Sequence, residues 1–250
     1  MISRLIRDEA VVLRTQPLGE ADRIITLLTR RHGKVRASAR GVRRTASRFG
    51  ARLEPFQRVD LQLRRGRSLD VIAQAVTITG YSSRIAEDYD RFTAATAVAE
   101  TAERLSDEGI DSSNDFYLLV LSALAAIADS SRPPMLLLDS FLLRATASAG
   151  WTPQLRTCAT CGADGPHVAY DVAAGGVVCS ECRRPGAVGV RPRVIEHMIF
   201  LLAGDWENVL DSDDRTQNQA AALIASTLTW HLERGIRALH YVERYQRGPQ

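Results

Sequence analysis

The chain lacks any apolar run able to cross a bilayer: the longest, Tyr117 to Ala128, is broken by Ser122, whereas a span needs about 20 residues. It also lacks a secretory core at its start, where Arg4 and Arg7 are followed at once by Asp8 and Glu9. A soluble, cytoplasmic protein that does not meet membranes is expected. No G-x-x-x-x-G-K-[ST] loop is present, since Gly33-Lys34 runs into Val35 and Leu28 stands where the first glycine belongs. Neither a nucleophile elbow nor an H-E-x-x-H run occurs, and Asp213-Asp214 reads as helix N-terminal charge. ATP hydrolysis and nuclease chemistry therefore have no support, and a non-enzymatic protein is expected. Lys34 is the only lysine, and Phe49 and Phe56 are the only aromatics before Tyr81.

Cysteine is nearly absent too, but the four that exist form one constellation: Cys158-x2-Cys161 and Cys179-x2-Cys182, seventeen residues apart. Two C-x-x-C knuckles at this separation can turn four sulfurs toward one tetrahedral zinc ion. Gly162, Gly165, Pro166, Gly175 and Gly176 punctuate a short hairpin between them, His167 to Asp171 returning through Val177 to Cys179. Four thiolates leave no coordination position for water or substrate, so one zinc here would be structural. Two disulfides or free thiols are the alternatives; disulfides need an oxidising compartment. His167 is a possible substitute ligand, although a lone histidine in a turn is commonly only solvated.

The net charge of +3 hides an asymmetry. Residues 1–80 carry 17 Lys+Arg against 7 Asp+Glu, a balance of +10, and residues 81–250 carry 15 against 22, a balance of −7. A small basic domain points to nucleic acid, although a membrane surface or an acidic protein tail would also be drawn to it. This part reads as strands: Ala10–Leu13, Ile24–Leu28, Val35–Ala37, Val59–Leu63 and Val71–Ile78, separated by turns such as Pro17-Leu18-Gly19 and Arg65-Gly66-Arg67. About five strands in about 80 residues is the scale of a Greek-key barrel such as the OB-fold.

From Tyr81 the period becomes helical. Ser82 or Ser83 caps a helix carrying Ile85, Tyr89, Phe92, Ala95, Ala99, Ala102 and Leu105 as far as a stop at Gly109, and Asn114 caps a second through Phe116, Leu119, Leu124 and Ile127. Pro133-Pro134 opens a third that ends at Gly150, Pro192 to Gly204 holds a fourth, and a long helix is expected from Arg215 to Tyr245. The fold class expected is α+β and multidomain. An OB-fold barrel over 1–80 binds nucleic acid, 81–150 and 190–250 form one helical domain, and 151–189 is a zinc ribbon-like insert.

The densest charge lies between Arg30 and Arg52, where Arg31, Lys34, Arg36, Arg40, Arg43, Arg44 and Arg48 are the candidate DNA contacts and no acidic residue intervenes. Ala39 to Gly50 is too polar for a core and too rich in small residues for a strong helix. It reads as a mobile loop on the barrel rim whose guanidinium groups neutralise phosphates; a solvated charged face is the plainer reading. With so few aromatics for base stacking, binding should be mainly electrostatic, weakly sequence-selective, and open to single and double strands.

The series Glu9-Ala10-Val11-Val12-Leu13, Gly19-Glu20-Ala21-Asp22-Arg23-Ile24, Leu28-Thr29, Gly33-Lys34, Ala39-Arg40-Gly41-Val42-Arg43-Arg44, Ser47-Arg48-Phe49-Gly50 and Leu53-Glu54-Pro55-Phe56 resembles the RecO family of bacterial recombination mediators. His231-Leu232-Glu233-Arg234, with Arg237 and Leu239, is similar to that family's last helix, and the four cysteines to its zinc-containing branch. The resemblance implies a DNA-binding OB-fold followed by a helical domain with an embedded zinc module. It also implies annealing of complementary strands coated by single-strand-binding protein, capture of that protein's C-terminal tail, partnership with RecR, and indirect help to RecA. Arg40, Arg43, Arg44 and Arg48 match the family's basic loop; Ala46 departs from it, standing where a lysine is frequent. A zinc-ribbon regulator binding specific duplex sequence, and an adaptor without DNA contact, are the competing readings. The first lacks a recognition-helix pattern.

Overall fold

The computed structural model describes residues 5–66, 68–107, 114–233 and 235–242. The chain divides into two compact units, Met1–Ser131 and Arg132–Gln250.

The first unit is built on five strands: β1 (Leu5–Leu18), β2 (Asp22–Thr29), β3 (Gly33–Ala39), β4 (Gln57–Arg64) and β5 (Asp70–Gly80), closed in the order β1-β2-β3-β5-β4. This is the OB-fold order. The strands are longer than their apolar runs suggest because β1 serves two partners: Leu5–Val11 pairs with β4 and Ala10–Leu18 with β2, the register shifting between Val12 and Arg14. Such a bulge bends a strand enough to turn a barrel corner. Alternation on the strands sends Ala10, Val12, Ile25, Leu27, Val35, Ala37, Val59, Leu61 and Ile72 into one buried interior. Val11, Leu13 and Leu28, from the opposite face, are buried as well, because a helix packs across β1 and β2.

That helix is α2 (Tyr89–Leu105), preceded by α1 (Ser82–Ala86) and followed by α3 (Asn114–Asp129). A single helix was expected from Ser82; Asp88 interrupts it by taking extended backbone and accepting a hydrogen bond from the Arg91 N–H at 2.8 Å, an N-cap that starts α2 afresh. The stop expected at Gly109 lies outside the described residues. Ties to the barrel explain why α1–α3 cluster with it rather than with the later helices. Arg14 pairs with Glu103 at 2.6 Å, Lys34 Nζ donates to the Glu103 carbonyl at 2.9 Å, and the Phe56 and Phe92 rings meet edge to face at 6.1 Å.

The second unit contains α4 (Pro134–Ser148), α5 (Pro192–Ala203), α6 (Trp206–Leu210) and α7 (Asp214–Leu232), with a small sheet of β6 (Ala169–Asp171), β7 (Gly176–Val178) and β8 (Val188–Gly189) in the order β7-β6-β8. α4, α5 and α7 pack together; Ser140 Oγ donates to the Leu201 carbonyl and Arg144 Nε to that of Leu202. The helix expected to reach Tyr245 ends at Leu232, where Glu233 adopts a left-handed conformation with φ 56°, and a 3-10 turn over Arg237–Tyr241 follows. Arg234 and residues beyond 242 lie outside the described residues. The short α6 and β8 carry too few residues to show a period.

Candidate nucleic-acid interface and metal centre

The basic segment between β3 and β4 is anchored, not free. Two apolar residues of its most basic part, Val42 and Phe49, are 8% and 1% exposed and join the barrel core with Leu53 of the 3-10 turn Gly50–Leu53. At its start the Gly41 N–H donates to Asp22 Oδ1 at 2.7 Å and the Arg43 N–H to the Ala21 carbonyl at 3.0 Å, so the loop is laced to the β1–β2 turn. Gly41, at φ 68°, makes the bend between these bonds. The sequence expectation of a mobile loop missed these anchors, whose one signal was the pair of apolar residues in an otherwise polar stretch.

Arg40, Arg43, Arg44 and Arg48 are exposed on this loop, and none forms an ion pair among the described residues. Arg48 lies over the Phe49 ring at 4.8 Å, and Arg43 reaches the Gly19 carbonyl at 3.4 Å. Arg52, exposed next to them, spends one guanidinium nitrogen on the Arg48 and Phe49 carbonyls. Arg36, half-buried, stands on the outer face of β3 opposite Thr26.

The other two candidates are engaged elsewhere. Arg31 donates from its backbone and from Nε to Asp8, at 3.1 and 3.2 Å, and from a terminal nitrogen to the Arg7 carbonyl at 2.6 Å. Asp8, 2% exposed, also holds His32 Nδ1 at 2.7 Å. Lys34 is bound to the last turn of α2, where a cation meets the negative end of the helix dipole. Elsewhere on the barrel Arg7 is paired with Asp60, Arg65 with Asp70, and Arg58 with Glu9 at 2.8 Å. The Glu9 bond holds the Arg58 guanidinium above its usual range; Tyr117 beside it is pushed up by burial, partly offset by Arg58. A paired arginine must surrender a partner before it can serve a phosphate, whereas the four rim-loop arginines, like the exposed Arg64 at the end of β4, have no acidic partner among the described residues.

In the second unit the four sulfurs of Cys158, Cys161, Cys179 and Cys182 lie within 4.8 Å of one another, with Cys161 and Cys179 at 3.9 Å. A tetrahedron with metal–sulfur bonds of about 2.3 Å has edges of about 3.8 Å. The first knuckle is preformed: the Gly162 N–H closes on the Cys158 carbonyl at 2.8 Å, and the Ala159 N–H bonds the Val177 carbonyl just before the second knuckle at 2.8 Å. Backbone N–H groups of Cys161 and Cys179 lower the Cys158 thiol to about 6, whereas the neighbouring Cys161 and Cys179 sulfurs push Cys182 up to about 12. One thiol ionises readily and the last resists, because its hydrogen bonds to the neighbouring sulfurs favour the protonated form. A divalent cation at the centre would hold all four as thiolates, so the donor set fits a closed four-sulfur metal site. His167 is not among the clustered ligands.

The module is fastened by its own sheet. Gln154 bonds Gly175 and Val177 through its backbone at 2.9 Å each, and a Cβ on Gly176 would collide with the Gln154 carbonyl. The Tyr170 hydroxyl meets Thr227 Oγ1 of α7 at 3.0 Å. Among the described residues no helix is long and apolar enough to cross a membrane.

Comparison with known proteins agrees with this architecture. Residues 1–81 match the family described as Recombination protein O N terminal, and residues 86–240 match Recombination protein O C terminal. The chain is similar to the DNA repair protein RecO of Thermobifida fusca (strain YX), 50% identical over 240 residues that cover 96% of this chain and 99% of that protein. With both family regions present in order and a full-length relative at this identity, the chain belongs to the RecO family of DNA repair proteins.

Proposed function

We propose that the chain is a cytoplasmic recombination mediator that binds single- and double-stranded DNA, anneals complementary strands coated by single-strand-binding protein, and acts with RecR to help RecA replace that coat. The observation that carries this reading is the set of rim arginines without acidic partners, Arg40, Arg43, Arg44 and Arg48, flanked by Arg36. Their guanidinium groups release counterions from phosphates without regard to sequence. Neutralised strands repel each other less, and base pairing then supplies the driving force, with no nucleotide hydrolysed. Arg31 and Lys34 support the barrel and α2 in this scheme. The zinc ion is held by Cys158, Cys161, Cys179 and Cys182 and serves the folding of its module. The acidic tail of single-strand-binding protein is taken by the helical region.

Annealing of coated strands by the purified protein tests the proposal. It should proceed without ATP, and it should fail when the tail is deleted while annealing of bare strands continues. A strict ATP requirement, or equal activity with and without the tail, contradicts it.

A further inference from the structure

β5 is the least protected strand of the barrel. It pairs with β4 from Val71 to Gly80, but with β3 only at Ala37↔Asp70 and Ser38↔Val71. Beyond Val71 its second edge makes no backbone hydrogen bond to another segment among the described residues. The barrel is thus closed by two residue pairs, and most of an 11-residue strand is left with one edge open.

Nothing in the composition blunts that edge. Val71 to Gly80 contains no charged residue and no proline, and Val71, Ile72, Val76, Thr77, Ile78 and Thr79 are all β-branched. Val76 and Ile78 are 49% and 42% exposed, and Thr77 between them is exposed as well. Strand edges of this kind pair with other chains unless lysine, proline, charge or a covering segment prevents it. The 3-10 turn Gly50–Leu53 packs against β5 and carries the exposed Arg52, with the exposed Arg48 two residues before the turn, whereas Val71–Gly80 itself bears no charge.

We propose that the open edge of β5 receives an extended peptide from another protein as an added strand, its apolar or β-branched residues lying over Val76 and Ile78 and its acidic residues toward Arg48 and Arg52. Main-chain hydrogen bonds give such pairing its affinity and alternate side chains its selectivity. Backbone chemistry and charge choose the occupant. A nucleic acid has no alternating N–H and C=O groups with which to extend the strand ladder, which excludes it from the edge itself. A second copy would bring another barrel region of net charge +10 against the first. An acidic peptide meets neither obstacle.

The test uses the full-length protein and a fluorescein-labelled peptide, Asp-Asp-Val-Thr-Val-Thr-Ile-Asp-Asp. Saturable binding that weakens with salt is expected, with backbone amide exchange slowed between Ile72 and Gly80. The double variant Val76→Lys, Ile78→Lys should lose at least about tenfold in peptide affinity while binding oligonucleotides at least as tightly as before, which also shows that it is folded; Val76→Thr should retain the peptide. Absence of peptide binding, or equal binding by the lysine variant, overturns the proposal. So does exchange protection of the edge by an oligonucleotide instead of the peptide. Concentration-dependent dimerisation abolished by the lysines would give the edge to a second copy and overturn it likewise.

Discussion

The guanidinium of Arg48 lies 4.8 Å from the centroid of the Phe49 ring, and that ring is 1% exposed. A surface charge thus rests on a residue of the barrel core. The contact itself is worth about 0.5–1 kcal/mol at an exposed site. More important, Phe49 links the position of the rim charges to the packing of the strands beneath.

Phe49→Ala should therefore impair DNA binding although it removes no charge. Emptying this core position should destabilise the barrel by about 3–5 kcal/mol, read as a lower denaturant midpoint. Phe49→Leu should restore most of both stability and affinity. Unchanged affinity in a folded Phe49→Ala protein would mean that the loop does not need its anchor.

Replacing Arg43 and Arg44 together by Ala should weaken binding to all sequences alike and flatten the salt slope by about one unit per lost phosphate contact. Arg31→Ala should behave differently, lowering the unfolding midpoint because buried Asp8 loses its Nε donor while keeping the backbone N–H, with little change in salt slope. Salt titrations on mixed oligonucleotides, run beside denaturant melts, separate the two effects.

Elemental analysis should find one zinc per chain. Any of Cys158→Ser, Cys161→Ser, Cys179→Ser or Cys182→Ser should loosen residues 151–189, because metal binding supplies local folding free energy. Tyr170→Phe should keep the metal and lose only the bond to Thr227, a cost of about 1 kcal/mol. Stable disulfides in peptide maps, or protein purified without chelator but free of zinc, would contradict the metal assignment.

Asp213 caps α7, and the Thr216 N–H it accepts at 2.6 Å holds its carboxyl below the usual carboxylate range. Its stabilising contribution is present above the unfolded carboxylate pKa and is lost as pH falls through the lower folded value. Asp213→Ala should lower the melting temperature at neutral pH, whereas Asp213→Asn should keep the cap and remove that acid-side dependence.

Much of this was legible in the chain. The strands show as β-branched runs between glycine, proline and charged turns, and the cysteine spacing specifies which sulfurs can meet. What could not be read was long-range. Arg31 and Arg43 look alike in sequence, and only the pairing of β1 with β4 and β2 places Asp8 against one of them. Phe49 and Val42 were hidden because two apolar residues in a basic loop give no periodic pattern. Asp88 could pass for a helical residue, since its capping role depends on backbone that sequence periodicity does not report.

The lone lysine has a practical consequence. Amine-reactive reagents have one side-chain target in this chain, Lys34, and its Nζ is held on the carbonyl that closes α2. The rate at which that amine is modified is therefore a built-in clock for the parting of α2 from β3, readable by mass spectrometry without introducing any label.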